Sequence, residues 1–177
     1  ELLADSDMPK ATLYRFVQTL TNQGMLQYEP ERQTYAPGLR LVRLAHAAWA
    51  QSSLAPVARL PVDALSAETG ETVHLAQLDH AQVLYIDKRN ARDPVEMFSQ
   101  AGKVGPAYCT GVGKAMLAFL PEPELQTALA QQSWHQFTSA THGSAASLQR
   151  ELAEIREEGL SFDRDEQEMG IVCVAVP

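Results

Sequence analysis

A chain of 177 residues with 45% hydrophobic and 20% charged side chains suits one large domain or two small ones of ordinary globular composition. No apolar run reaches the ~18 residues of a spanning helix, the start shows no basic-then-apolar leader, and two cysteines, Cys109 and Cys173, are too few for a secreted disulfide scaffold. These features predict a reduced, cytoplasmic protein with no membrane partner.

The net charge of −8 argues against a polyanionic partner until it is divided along the chain. Residues 8–43 hold Lys10, Arg15, Arg32, Arg40 and Arg43 against Glu29 and Glu31, whereas residues 51–177 hold nine basic and seventeen acidic side chains. Any nucleic-acid surface belongs at the N-terminal end.

Pro9 suits the opening of a helix that runs to Gly24, with Leu13, Phe16, Val17 and Leu20 at helical spacing. Met25–Tyr28 and Gln33–Ala36 read as two strands around the turn Glu29-Pro30-Glu31-Arg32. A basic, hydroxyl-bearing helix start followed by a polar hairpin is the pattern of a winged helix-turn-helix. Lys10, Ala11, Thr12, Tyr14 and Arg15 lie where a recognition helix meets base edges and phosphates, and Arg32 lies at the hairpin tip.

Leu39–Gln51 carries a wide apolar stripe (Leu41, Leu44, Ala45, Ala48, Trp49), as expected of a linker helix that pairs subunits. A helix over 54–69 follows, bent or divided at Pro61. Beyond Gly70 the pattern turns to strands at Thr72–Leu78 and Gln82–Lys88, joined by Asp79-His80-Ala81, then a strand over 95–100 and a loop at Gly102–Pro106. Helices are predicted at 110–120, 122–131 and 145–158, the last capped by Ser144 and ended by Gly159. Leu160–Asp163 and Ile171–Val176 read as strands. The acidic face of Glu151, Glu154, Glu157 and Glu158 reads as solvated, with Arg150 and Arg156 in local pairs.

Thr110-Gly111-Val112-Gly113-Lys114 lacks the spacing and the Lys-Ser/Thr end of a Walker loop, so nucleotide hydrolysis is not indicated. Two readings of the glycines stand: amides exposed at a helix start for an anion, or close helix packing. His74, Cys109, Asp163 and Cys173 have no local ligand spacing, so no metal is expected. Nothing positions a third group behind a Cys–His pair, so no catalytic residue and no cofactor are assigned.

Three stretches carry a resemblance: Met8-Pro9-Lys10-Ala11-Thr12-Leu13-Tyr14-Arg15 with Leu20 and Gly24; Tyr108-Cys109-Thr110-Gly111-Val112-Gly113-Lys114-Ala115-Met116-Leu117-Ala118; and Gly159–Glu166 continuing to Gly170-Ile171-Val172-Cys173-Val174-Ala175. In this order they resemble the IclR family of bacterial transcription regulators. The resemblance implies an α+β chain: a winged helix-turn-helix over 1–37, a linker and dimerisation helix over 38–52, and a GAF-like effector domain with an antiparallel sheet over 53–177. The start at Glu1-Leu2-Leu3-Ala4 and the end at Val176-Pro177 read as cut, with the reader's first helix and the C-terminal part of the effector domain expected to lie outside the sequence.

The family's effector-facing positions fall on Gly111, Val112, Asp163 and Cys173, with Met97 and Phe98 as apolar wall. The implied partners are a palindromic double-stranded DNA operator, a small carboxylate (sugar acid or aromatic acid) and further copies of the chain as a homodimer or tetramer. The implied function is ligand-responsive regulation, repression before activation. Tyr108–Leu120 followed by Pro121-Glu122 looks most like the sugar-acid regulators of the family. The alternative is a stand-alone small-molecule-binding protein or enzyme whose N-terminal region only oligomerises.

Overall fold

The computed structural model describes residues 6–51, 54–95, 97 and 99–177, and divides between Val57 and Ala58 into two units. Glu1-Leu2-Leu3-Ala4 and Phe98 lie outside the described residues. All strand pairs are antiparallel.

In the first unit, Pro9 caps α1 (Lys10–Asn22) with φ −56°. Gly24, at φ +69°, turns the chain out of the helix, a conformation that side chains with a Cβ resist. β1 (Leu26–Glu29) and β2 (Thr34–Pro37) pair with Tyr28 opposite Tyr35, their rings 5.0 Å apart. Gly38 closes the corner: its N–H donates to the Met25 carbonyl at 2.8 Å, and an added Cβ would sit 2.1 Å from the Gly24 carbonyl oxygen. α2 (Leu39–Gln51) follows and buries none of its residues. Arg40 ties it to the end of α1 through the Gln23 carbonyl at 3.1 Å.

α3 (Leu54–Thr69) is a single helix with Pro61 inside it, so of the two expectations, a bend or a division at Pro61, the division does not occur. One proline removes one ladder hydrogen bond and crowds the preceding turn, which a helix absorbs by bending.

In the second unit, β3 (Val73–Asp79) and β4 (Gln82–Arg89) form a hairpin whose two-residue turn, His80-Ala81, has both residues at positive φ. A bulge between Leu75 and Ala76 shifts the register, and Val83 and Tyr85 are buried. β5 (Val104–Pro106) takes the other edge of β4, where a loop was expected. Gly102 N–H donates to the Tyr85 carbonyl at 2.7 Å and Tyr85 N–H to the Lys103 carbonyl at 3.0 Å. That edge is therefore filled, and the predicted strand over 95–100 is absent: residues 95, 97, 99 and 100 are irregular, and 96 and 98 lie outside the described residues.

α4 (Gly111–Ala118), α5 (Glu122–Ala130) and α6 (Ala145–Glu158) follow. Ser144 Oγ accepts from the Ser147 N–H and Gly159, at φ +73°, ends α6, both as the sequence predicts. Leu117, Leu125, Leu129, Leu148, Leu152 and Ile155 from the three helices share one core with Val83 and Tyr85. β6 (Ser161–Arg164) and β7 (Val172–Ala175) pair with Asp163 directly opposite Cys173.

Candidate functional site

The expected DNA-reading residues all lie on exposed surface of the first unit. Lys10, Ala11, Thr12, Tyr14 and Arg15 are exposed in the first turn and a half of α1, and Val17 alone of that helix is buried. Arg32 is exposed in the β1–β2 turn. Among the described residues, no ion pair engages Lys10, Arg15 or Arg32. The first turn also lacks a side-chain cap and an acidic residue, so its amides are left to an outside acceptor, which the positive end of the helix dipole favours as an anion.

Three of the expected effector contacts, Gly111, Asp163 and Cys173, converge in the second unit around the start of α4. Thr110 caps this helix: its Oγ accepts from the Gly113 N–H at 3.3 Å and donates to the Pro106 carbonyl at 2.8 Å. That leaves the amides of Gly111 and Val112 as the first-turn donors. A Cβ on Gly111 would meet Cys173 Cβ at 3.5 Å and the Asp163 nitrogen at 3.6 Å, so Gly111, Asp163 and Cys173 meet at one point.

The two glycines do different work. A Cβ on Gly113 would lie 2.4 Å from the Ala107 carbonyl oxygen and 2.5 Å from its Cα, so Gly113 is required by close packing. Val112 is half-buried against the core. Met97 is half-buried in the irregular segment.

Two further residues belong here that the sequence did not single out as contacts, Tyr85 and Cys109. Burial, then the charges of Cys173, Asp163 and Cys109, pushes the Tyr85 hydroxyl well above the ordinary phenol range, which places the four groups together. Burial and then Asp163 push the Cys109 thiol up to about 12 and the Cys173 thiol up to about 11, so both are protonated and inert at neutral pH. Burial raises Asp163 above the usual carboxylate range, against the hydrogen bond it accepts from the Glu166 N–H at 2.8 Å. No pairing signal in the sequence links Tyr85 to β7; the bulge that sets its register is visible only in the fold.

Behind α4 lies a buried charge network. Lys114, fully buried, donates to Glu151 Oε1 at 2.6 Å and to Glu166 Oε1. Glu151 Oε2 meets His142 Nε2 at 2.6 Å. For Glu151, burial opposes ionisation but the bonds from His142 and Lys114 outweigh it, and its acidity ends up stronger than usual. For Glu166, burial prevails over Lys114 and raises it. The expected solvated face at 151–158 holds for Glu154, Glu157 and Glu158, which are exposed, and is corrected at Glu151, which is half-buried and pairs with Lys114 and His142, and at Arg156, which donates to the Ala118 carbonyl. A lysine three positions after Gly111 on the same helix draws α6 inward, an arrangement that helical spacing alone does not reveal.

Residues 46–177 match the family described as bacterial transcriptional regulator IclR C-terminal, and residues 1–30 match the IclR helix-turn-helix domain. The chain is 35% identical over 170 residues to the HTH-type transcriptional regulator KdgR of Dickeya chrysanthemi, covering 96% of this chain and 56% of that protein. It is 34% identical over 170 residues to the HTH-type transcriptional regulator XynR of Escherichia coli K12, covering 96% and 68%. It thus spans between about half and two thirds of the length of these relatives. The crystal structure of the Thermotoga maritima IclR superposes with a TM-score of 0.76 at 32% identity, over 97% of this chain and 69% of that one. On the family match across most of its length, the chain belongs to the IclR family of bacterial transcriptional regulators.

Proposed function

We propose that this chain acts in the cytoplasm as an effector-controlled DNA-binding repressor, a homodimer or tetramer seated on a palindromic operator and answering to a small carboxylate. The observation that carries the reading is the exposed cationic first turn of α1, beside the β1–β2 hairpin, in a chain otherwise strongly acidic. Lys10, Ala11, Thr12, Tyr14 and Arg15 read the major groove, and Arg32 reaches the backbone or the minor groove. The domain limits follow from this division of labour: reader over 1–37, linker helix over 38–52, effector domain from 53 onward.

The apolar stripe of α2 supports self-association, since Leu39, Val42, Leu44 and Trp49 are all exposed on a helix with no buried residue. The effector binds where Gly111, Asp163 and Cys173 meet, with Val112 next to Gly111 in the same turn and Met97 as apolar wall. The amides at the start of α4 receive the carboxylate and Asp163 accepts from a ligand hydroxyl, a pairing that suits a sugar acid better than a plain aromatic acid. Occupancy biases the effector domain toward the conformation that misfits the operator, and repression is relieved.

The test is a thermal-shift panel of sugar acids, aromatic acids, glyoxylate and pyruvate on the intact protein. A hydroxylated acid raises Tm in proportion to the logarithm of its concentration, and Asp163→Asn removes the rise. Stabilisation undiminished in Asp163→Asn contradicts the placement of the ligand.

A further inference from the structure

We propose that His142, Glu151 and Glu166 form a site for one divalent transition-metal ion of the zinc class, distinct from the contacts of Gly111 and Cys173. One donor atom from each lies within 4.8 Å of the others, and all three residues line a cleft of about 530 Å³. The carboxylate of Glu166 is buried, and its Oε2 has no hydrogen-bond partner among the described residues. An orphaned carboxylate oxygen at this depth costs free energy unless a cation completes it.

Lys114 does not complete it. The ammonium engages Oε1 of Glu151 and Oε1 of Glu166; Oε2 of Glu151 meets His142 Nε2, and Oε2 of Glu166 is left without a partner among the described residues. One ammonium here serves two carboxylates. An imidazole nitrogen of His142 and one carboxylate oxygen each from Glu151 and Glu166 are the kind of nitrogen and oxygen set that zinc takes.

The surrounding bonds hold these atoms as ligands. Glu166 is fixed through its backbone: its N–H donates to Asp163 Oδ1 at 2.8 Å and its carbonyl accepts from Thr141 Oγ1 at 2.6 Å. His142 Nδ1 lies 3.3 Å from Ser147 Oγ, and that hydroxyl spends its hydrogen on the Ser144 carbonyl at 2.8 Å. Ser147 is therefore an acceptor and Nδ1 carries a proton, so Nε2 faces Glu151 Oε2 either with a second proton or with a lone pair that a metal ion can take. Two acceptors facing at 2.6 Å require a proton or a metal ion between their lone pairs. Metal-binding histidines are commonly oriented this way, through a hydrogen bond from the other ring nitrogen. Bonds of roughly 2.0–2.2 Å need the three donors to draw together by rotamer adjustment, and the cleft supplies a water as the remaining ligand.

This site has no signature along the chain because its ligands come from a loop, a helix and a turn with no short spacing between them. The experiment is titration of the metal-stripped full chain with zinc chloride by calorimetry, with cobalt(II) absorption as a second readout of coordination. One ion per chain binds; His142→Ala and Glu166→Gln each weaken it by about tenfold or more; and the double variant Cys109→Ser/Cys173→Ser binds as the wild type does. Should Glu166→Gln fail to fold, His142→Ala decides, because its ring is not part of the core. Absence of stoichiometric binding overturns the proposal, leaving a proton between His142 and Glu151. So does binding unchanged in His142→Ala, or binding lost with the two cysteines.

Discussion

Asp163 and Cys173 face each other across the β6–β7 ladder, and the first turn of α4 rests on that rung, with the Cβ position of Gly111 3.5 Å from Cys173 Cβ. A helix start, a buried carboxylate and a thiol that stays protonated thus share one point. The first turn can shift only if β6 and β7 shift with it, because close-packed interiors transmit displacement rather than absorb it.

That packing separates the two glycines experimentally. Gly111→Ala adds a methyl at ordinary contact distance from its neighbours, 3.5–3.6 Å, and costs under about 1 kcal/mol. Gly113→Ala drives a methyl into the Ala107 backbone at 2.4 Å and costs about 2–3 kcal/mol or more. Urea unfolding midpoints measure both; equal losses would contradict the assigned roles.

Replacing Lys114 strands two carboxylates in the interior. Lys114→Met should lose about 3–5 kcal/mol at neutral pH, the usual consequence of breaking a buried pair from one side. Burial already raises Glu166, so without the ammonium its proton is held to still higher pH. The deficit therefore shrinks as pH falls and the carboxylate takes its proton, and Lys114→Met/Glu166→Gln recovers part of it. Denaturant curves at pH 5 and pH 8 distinguish this from a simple loss of packing, which would be the same at both.

His74 makes stability depend on acid. Burial, then the Lys88 charge, lowers it from 6.5 to about 4, and its Nε2 sits 2.7 Å from Ser99 Oγ. Its folded form stays neutral while the unfolded chain begins to protonate below 6.5, so the stability present above that pH drains away between about 6.5 and 4. His74→Gln should flatten the slope of unfolding free energy against pH across this window. An unchanged slope would place the acid sensitivity elsewhere.

Arg15 and Arg32 are expected to act differently on DNA. If Arg15 pairs bidentately with guanine, Arg15→Ala loses about 1–3 kcal/mol on the cognate duplex and relaxes preference at one position. Arg32→Ala weakens all duplexes alike and lowers the log–log salt slope by about 1. Affinity measured by fluorescence anisotropy on matched and scrambled duplexes separates the two.

Much of this was legible from periodicity and end signals. The caps at Ser144 and Gly159 and the hairpin around Tyr28 and Tyr35 rest on local chemistry, and local chemistry survives folding. What failed was competition between segments. Whether 95–100 or 104–106 pairs with β4 is decided by which reaches the edge first in three dimensions, and Gly102 at φ +84° turns the second segment onto it. At the site, Asp163 and Cys173 are opposed in register, as two strand segments flanking one loop allow. Tyr85 and the Lys114–Glu151–Glu166–His142 network were not legible, because each joins elements far apart in sequence. Helical spacing marks Glu151 as one acid among four; only burial shows that it faces inward.

The coupling of ligand to DNA is the central claim, and operator affinity measures it directly. A duplex is selected from a random library by the intact protein, and its dissociation constant is followed by anisotropy at several salt concentrations, with and without the acid that most raises Tm. The account predicts binding that weakens steeply with salt and falls at least about fivefold further with the acid in the wild type, with no response to acid in Asp163→Asn. Salt-insensitive binding, or an affinity that a stabilising acid leaves unmoved, would contradict it.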